Sequence, residues 1–334
     1  MATTRKLKKK YKILISIVIV IVLSFSSIVI YAEAIQNRSY QSLLIEGVFR
    51  VIMAEKRSRT VEECLMQLEE SREINAEYSV PEKFIDKYNL DAYSIDNFEV
   101  LTFNKSAESG KYIFYLHGGA YVDQPLSFHY QFLDKLSKEL ECTIIMPIYP
   151  KAPNYTYETT IPMVSNTYVD LLTRVDSQSI TVMGDSAGAS MALSLCQYFK
   201  VNSIAQPKDI IMFSPALDAT FSNPEIPDYI KNDPLLSLNV VRTKINSYAG
   251  TEEALTNYLV SPINGDITGL GKMTIFVGTY EILLADARIF HNMATDLGID
   301  MNYYEYDKML HVFPIYPIPE SKEVRETIKT IIFG

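Results

Sequence analysis

From about residue 95 onward, short apolar runs with strand character alternate with longer segments of helical periodicity. The strand-like runs lie near residues 98–103, 111–116, 143–148, 180–183, 209–213, 273–277 and 301–306. The helical segments lie near residues 128–140, 157–174, 187–199, 237–248, 285–297 and 320–332. This alternation predicts an α/β fold, with a mostly parallel central sheet and helices on both of its faces. Ligands of such folds bind beyond the carboxyl ends of the strands.

The segment before the sheet has a different pattern. Between residues 35 and 80, apolar positions such as Leu44, Val48 and Leu65 recur at helical spacing, until Pro81 interrupts them. Helices of this kind cannot bury an apolar face alone. We therefore predict that residues 35–94 form the helical N-terminal part of a lid, within a single domain that spans residues 35–334.

The N-terminus combines a basic segment with an apolar one. Residues 1–12 carry six lysines and arginines and no acid, and residues 13–30 form an uncharged run of 18 residues. Such a run can cross a bilayer core of about 30 Å as a helix. The positive-inside rule keeps the basic segment in the cytoplasm and places the body of the protein outside. We predict that residues 1–34 are a cytoplasmic tail and a single transmembrane anchor.

A cleavable signal peptide is the alternative, because Ala32, Glu33 and Ala34 have the small-x-small pattern of a cleavage site. The apolar run is longer than the usual signal-peptide core of about 7–15 residues, which favours the retained anchor. In both cases the rest of the chain is exported, either on the cell membrane or as a secreted protein cut near Ala34.

Composition narrows the class of protein. The chain has 334 residues, 48% of them hydrophobic, which is enough for one sizeable core. Six of its 31 lysines and arginines lie in residues 1–12, which leaves 25 cations against 40 acidic residues elsewhere. An acidic body argues against nucleic acid as a partner, because phosphate binding needs a basic surface. The three cysteines, Cys64, Cys142 and Cys196, predict no disulfide framework.

A nucleophile motif joins the apolar run at 180–183 to the helical segment at 187–199. It reads Gly184, Asp185, Ser186, Ala187, Gly188, and a Gly-x-Ser-x-Gly between a strand and a helix is typical of a nucleophile elbow. Glycines suit the tight turn because they have no Cβ, and the helix N-terminus favours developing negative charge. We predict that Ser186 is a catalytic nucleophile.

A serine nucleophile needs a base, and the chain has four histidines, His117, His129, His291 and His311. His129 and His291 lie within predicted helices, and His117 begins a glycine-rich segment. His311 lies in the segment 307–314, beyond the last predicted strand, from which an imidazole can reach the elbow. Elimination favours His311 as the base.

The base in turn needs a carboxylate that fixes its tautomer and stabilises the imidazolium. Glu281 lies just past the predicted strand at 273–277, and Asp286 lies at the start of the following helix. A helix N-terminus alone explains an aspartate there. We favour Glu281 and keep Asp286 as the rival. The order serine, acid, histidine is that of an α/β-hydrolase.

Backbone amides stabilise an oxyanion well, because they need no reorganisation during the reaction. The segment Gly118, Gly119 and Ala120 follows the predicted strand at 111–116, and Ala187 follows the nucleophile. We predict that the amides of these four residues form an oxyanion hole.

These motifs resemble the hormone-sensitive-lipase-like carboxylesterases, a branch of the α/β-hydrolases. The resemblance covers roughly residues 95–334 and rests on residues 117–119, 149–153, 184–188, 214–218 and 309–313. It implies that the motif serine, Ser186, is the nucleophile and that the late histidine, His311, is the base. The chain departs from the family pattern at Ala120, where a third glycine is usual, and at Glu281, where an aspartate is frequent.

The sequence therefore predicts a membrane-anchored serine carboxylesterase that cleaves small esters with short acyl groups, acetyl among them. An amidase, formamidase or peptidase that uses the same residues is the alternative, and a non-catalytic ligand-binding homologue is a third. Serine acyl transfer needs no cofactor, and the sequence has no cluster at metal-ligand spacing. Nothing in the sequence indicates an oligomeric state.

Overall fold

A computed structural model of the chain describes residues 2–334, and the side chains of residue 11 and residues 13–334. The six cationic side chains of the predicted tail lie outside the described residues. The chain begins with α1 (Ala2–Ile30), which continues through a π-helical turn at Tyr31–Ile35. The helices that precede the sheet are α2 (Tyr40–Ile52), α3 (Ala54–Arg57), α4 (Val61–Ala76) and α5 (Glu82–Tyr88).

The described chain contains one eight-stranded sheet. Its strands are β1 (Asp91–Ile95), β2 (Phe98–Phe103), β3 (Tyr112–Leu116), β4 (Thr143–Pro147), β5 (Ile180–Asp185), β6 (Asp209–Phe213), β7 (Lys272–Tyr280) and β8 (Asn302–Leu310). They lie in the order β1-β2-β4-β3-β5-β6-β7-β8. The pairs β1–β2 and β2–β4 are antiparallel, and the others are parallel. The predicted mostly parallel sheet is confirmed.

Helices cover both faces of this sheet. The helices within and after the sheet are α6 (Ser127–Glu139), α7 (Tyr157–Leu172), α8 (Ala187–Val201), α9 (Ile226–Ile230), α10 (Leu238–Ala249), α11 (Leu284–Asp296) and α12 (Pro319–Phe333). Alternate residues of β3 point to different cores, Ile113 and Tyr115 to one and Phe114 and Leu116 to the other. Helices α6 and α12 bury their apolar sides in the first core, and α7, α8, α10 and α11 in the second.

Two strands extend further than the sequence predicts. β7 continues to Tyr280 and β8 continues to Leu310, beyond the predicted ends at 277 and 306. They pair in parallel to their last residues, and the register shifts at an irregularity between Gly278 and Tyr280. As a result Glu281 and His311 each follow directly on the end of a strand, and residues 307–310 are strand rather than the predicted loop.

The N-terminal helices lie partly over the carboxyl edge of the sheet. Helix α4 packs against α10. The Asn75 amide on α4 donates to the carbonyl oxygens of Val122 at 2.9 Å and Ala152 at 3.0 Å, so α4 is fixed to the segment after β3. The apolar helix ahead of them, Ile13–Ile35, has a mean hydropathy of 3.1, and its apolar 18-residue window contains no buried residue. Its length and composition suit a membrane anchor or a signal sequence.

Candidate active site

The turn between β5 and α8 holds Ser186 in a strained conformation, with φ 52° and ψ −123°. Glycine is required at positions 184 and 188, two residues before and after the serine, because other parts of the backbone approach both positions closely. A Cβ on Gly184 would meet the backbone of Gly188, and a Cβ on Gly188 would overlap the carbonyl oxygen of Leu116. The Ser186 amide donates to the Phe213 carbonyl at 2.8 Å, which fixes the turn to β6. Strain of this kind persists only where the surrounding structure holds it.

Ser186 is the first member of a hydrogen-bonded line of three side chains. Its Oγ lies 2.9 Å from Nε2 of His311, and Nδ1 of His311 lies 2.6 Å from Oε2 of Glu281. The carboxylate therefore accepts the Nδ1 hydrogen, and Nε2 is left free to accept the serine hydroxyl. Burial disfavours a charged imidazole, but Glu281, together with Asp233 and Asp185, raises the pKa of His311 above its ordinary value.

The carboxylate of Glu281 is fully buried and held by further donors. Its Oε1 accepts the Ser214 hydroxyl at 2.7 Å and the Gly278 amide at 2.8 Å. The same Ser214 oxygen accepts the Val312 amide at 3.0 Å. Ser214 thus joins the acid to the residue after the base. The sequence analysis did not assign it a role, although it directly follows β6 at the same edge of the sheet.

Asp286, the alternative candidate for the catalytic acid, has a different hydrogen-bond partner. It is buried and its Oδ1 accepts the Asn223 amide at 2.8 Å. Burial raises the pKa of Asp286 to about 6. Within the described residues His311 is not among its hydrogen-bond partners, so the structure brings Glu281 and not Asp286 to the imidazole.

Two further histidines have structural contacts. Nδ1 of His117 lies 2.6 Å from the Gly118 carbonyl, and its ring stacks on Tyr149 with centroids 4.6 Å apart. Burial holds the pKa of His117 well below its ordinary value, which keeps the ring neutral. His291 stacks on Tyr303 at 4.4 Å. Among the described residues, the Ser186 hydroxyl is hydrogen-bonded to His311 and to neither of these two rings.

The segment after β3 presents free amides to the site. The Gly118 amide is not one of them, because it donates to Oδ1 of Asp185 at 2.9 Å; the predicted oxyanion role of Gly118 therefore does not fit the structure. Gly119 and Ala120 have positive φ angles of 123° and 51°. Their amides and the Ala187 amide, at the N-terminus of α8, have no hydrogen-bond partner among the described residues.

Asp185 holds this segment through three contacts. Besides the Gly118 amide, its carboxylate accepts the Tyr115 hydroxyl at 2.7 Å and lies 3.1 Å from Nε2 of His129. The Leu126 amide donates to Nδ1 of His129 at 2.9 Å, so the hydrogen of the neutral ring is on Nε2 and points at the carboxylate. Sequence reasoning missed this network, although Asp185 directly precedes the serine in the nucleophile motif.

The arrangement has the parts that nucleophilic acyl transfer needs: a hydroxyl, a base oriented by a carboxylate, and unpartnered amides beside the hydroxyl. In the part of the chain that the structure describes, no three His, Cys, Asp or Glu side chains are grouped to hold a metal ion.

Comparison with known proteins agrees with the fold and this chemistry. Residues 113–315 match the alpha/beta hydrolase fold family. An esterase from Acinetobacter venetianus is 30% identical over 220 residues, which cover 65% of this chain and 73% of that protein. An acetyl-hydrolase from Streptomyces hygroscopicus is 27% identical over 223 residues, which cover 66% of this chain and 74% of that protein.

A solved structure is also similar. It is the crystal structure of a Staphylococcus aureus protein assigned as an esterase, 32% identical, with a TM-score of 0.77 over 81% of this chain and 92% of that one. The chain belongs to the α/β-hydrolase fold family, and the predicted resemblance to its hormone-sensitive-lipase-like carboxylesterases is confirmed. It is a serine carboxylic ester hydrolase.

Proposed function

We propose that this carboxylesterase is anchored in the cell membrane and hydrolyses short-chain acyl esters, acetyl esters among them, with Ser186, His311 and Glu281 as its catalytic residues. The hydrogen-bonded line from the serine hydroxyl through the imidazole to the buried carboxylate is the observation that carries the proposal. The acetyl-hydrolase and esterase relatives support the same chemistry.

In the first half of the reaction, Nε2 of His311 takes the hydroxyl proton as Ser186 Oγ attacks the ester carbonyl carbon. The carbonyl oxygen becomes an oxyanion, which the amides of Gly119, Ala120 and Ala187 stabilise. The bond to the leaving alkoxide then breaks, and His311 gives the alkoxide its proton. Ser186 is left acylated.

Water completes the reaction by the same route. His311 takes a proton from water as the hydroxide attacks the acyl carbon, and Ser186 regains its proton when the acid product leaves. Glu281 stabilises the imidazolium in both halves and fixes its orientation. No step requires a cofactor.

Two features near the oxyanion segment support a preference for small acyl groups. Ala120 adds a methyl group where the family usually has glycine. The next side chain, Tyr121, is buried and stacks on Tyr248 of α10 with centroids 3.8 Å apart, so it cannot move aside easily. A longer acyl chain would have to fit beside the Ala120 methyl group and the stacked Tyr121 and Tyr248 rings.

The apolar helix Ile13–Ile35 supports the anchor, with the body of the protein outside the cytoplasm. The N-terminal residue of the mature protein tests this part of the proposal. Detection of residues 1–34 on the membrane-bound protein is expected, whereas a mature chain that begins at Ile35 would mean a secreted enzyme.

The activity is tested with p-nitrophenyl esters from acetyl to palmitoyl and the matching anilides, using the full chain in detergent. We expect acetyl and butyryl esters to be cleaved fastest, and Ser186→Ala to lose about three or more orders of magnitude in kcat. Unchanged turnover in that variant would contradict the assignment of the nucleophile. Faster anilide cleavage would favour an amidase, and absence of labelling by a fluorophosphonate would favour a non-catalytic ligand-binding protein.

A further inference from the structure

Helix α2 has apolar side chains on two opposite faces. On the inner face, Ile45 and Phe49 pack against the core of the hydrolase domain, where Phe49 lies 5.2 Å from the Tyr316 ring. The exposed residues of α2 form what we call the outer face: Leu44, Gly47, Val48, Val51 and Ile52. A helix with apolar residues on two opposite faces normally has both of those faces covered.

The outer face is one continuous stripe. Its residues follow the spacing i, i+3, i+4, i+7 and i+8, which places them side by side along a helix. Their exposure is large, up to 77% for Val51. The two charged residues of α2, Glu46 and Arg50, pair with each other at 2.6 Å, and Glu46 is buried. The stripe therefore contains no charged residue.

The position of α2 next to the apolar N-terminal helix indicates what covers the stripe. The Tyr40 ring, at the first residue of α2, packs at a steep angle against the Phe25 ring, with centroids 5.3 Å apart. Phe25 lies five residues before Ile30, where both α1 and the uncharged apolar run end. At about 1.5 Å per residue, Phe25 lies only about 8 Å inside the end of the apolar run. In an inserted anchor, α2 thus begins beside the last turns of the span, near the depth where tyrosine is enriched.

From this geometry we infer that the outer face of α2 lies in the interfacial layer of the phospholipid bilayer, as a second contact besides the span. The inference rests on the proposed membrane anchor. Helices that lie in the membrane plane bury one apolar face in this way, about 5–10 Å into the boundary between headgroups and acyl chains.

The same helix segment is tied to the edge of the sheet that carries the active site. Arg50 donates to the Asn232 carbonyl at 2.9 Å, and Arg38, just before α2, donates to the Lys308 carbonyl at 3.0 Å. Lys308 lies three residues before His311 in the sequence. The bilayer contact consequently holds the active-site edge close to the lipid surface, which suits substrates that partition into the membrane.

Site-specific quenching in lipid tests the inference. The full chain is reconstituted in phosphatidylcholine and phosphatidylglycerol vesicles with nitroxide-labelled lipids, and a bimane label is placed on Val51→Cys. The native cysteines Cys64, Cys142 and Cys196 are free and buried, so they compete little for the label. Val201→Cys is the matched control, because Val201 is 70% exposed at the far end of α8 from the serine.

A third label, on Ile21→Cys, reports insertion of the span itself. Strong quenching at residues 21 and 51 with little at 201 is the expected result. Quenching at 21 but not at 51 would overturn the docking of α2 and leave the anchor intact. Failure of quenching at 21 would overturn the anchor and the docking with it.

Activity gives an independent readout. Val48→Glu combined with Val51→Glu should lower hydrolysis of an ester dissolved in vesicles several-fold, and leave hydrolysis of a water-soluble acetyl ester unchanged. Val201→Glu should change neither rate. Equal losses on both substrates would point to damage of the fold, and an unchanged rate on the vesicle ester would count against the inference.

Discussion

The Gly118 amide donates to the Asp185 carboxylate at 2.9 Å, which joins the oxyanion segment to the residue immediately before the nucleophile. A Cβ on Gly118 would overlap this carboxylate, so the contact also requires glycine. The two halves of the site, one after β3 and one after β5, are thus held in a fixed relation.

Asp185→Asn should reduce kcat by about tenfold to a hundredfold, because an amide cannot accept from Gly118, Tyr115 and His129 together, and the oxyanion amides would shift. We expect little change in KM. Steady-state kinetics with acetyl ester would measure both constants, and circular dichroism would check the fold. A variant with full kcat would show that the oxyanion segment is held without this carboxylate.

Glu281→Gln should lower kcat by about three to four orders of magnitude, since the base loses the group that orients it and stabilises its charge. Asp286→Asn, the matched control, should stay within a few-fold of the parent. A larger loss in Asp286→Asn would reverse the assignment of the acid.

The same pair of variants should differ in pH dependence. His311 acts as a base only when neutral, so activity rises as pH increases through its pKa, which Glu281 raises. Removal of that carboxylate lowers the pKa, and the rising limb of kcat/KM against pH should move to lower pH in Glu281→Gln. The limb should not move in Asp286→Asn.

Ser214→Ala should affect both stability and activity. The change removes a donor to Glu281 and leaves the Val312 amide without its acceptor. A buried donor without a partner costs about 1–3 kcal/mol in the free energy of unfolding. Urea denaturation would measure this loss. The pH profile of kcat/KM would show whether Glu281 still raises the pKa of His311 to the same extent. An unchanged midpoint and an unchanged profile would mean that water replaces the hydroxyl.

Asp286 should make stability depend on pH in the opposite sense from most carboxylates. Burial raises its pKa to about 6, so the folded protein keeps the proton at pH values where the unfolded chain has released it. Its contribution is therefore largest at low pH and is lost as pH rises through about 6. The free energy of unfolding should fall less between pH 4 and pH 7 in Asp286→Asn than in the parent. Asp296→Asn, exposed on the same helix, is the control and should follow the parent.

Local sequence signals predicted the parts of the site that lie at strand ends. Ser186, Glu281 and His311 each lie within five residues of the end of a predicted strand, and parallel strands bring their carboxyl ends to one edge. The contacts between these residues span 30 and 125 positions in the chain, and the structure brings them within hydrogen-bond distance. The sequence favoured Glu281 and left Asp286 as the rival, and the geometry brings Glu281 to the imidazole.

The features of the site that the sequence did not predict depend on contacts between residues that are far apart in the chain. Gly118 was predicted as an oxyanion donor because nothing in a glycine-rich segment says which amide is already engaged. Strand β1 was missed because it is a short, partly exposed edge strand of mixed polarity, so its pattern does not stand out. Ser214 and His129 have roles that come from partners 67 and 56 residues away.

The ends of β7 and β8 limit how the chain can change in length. Successive side chains of a strand point to opposite faces, so one inserted residue near the end of β8 would turn the imidazole of residue 311 away from the serine. An insertion in the turn at 297–301, before β8 begins, would leave the register untouched. Relatives that differ in length should therefore carry their insertions and deletions ahead of this strand and keep its last residues intact.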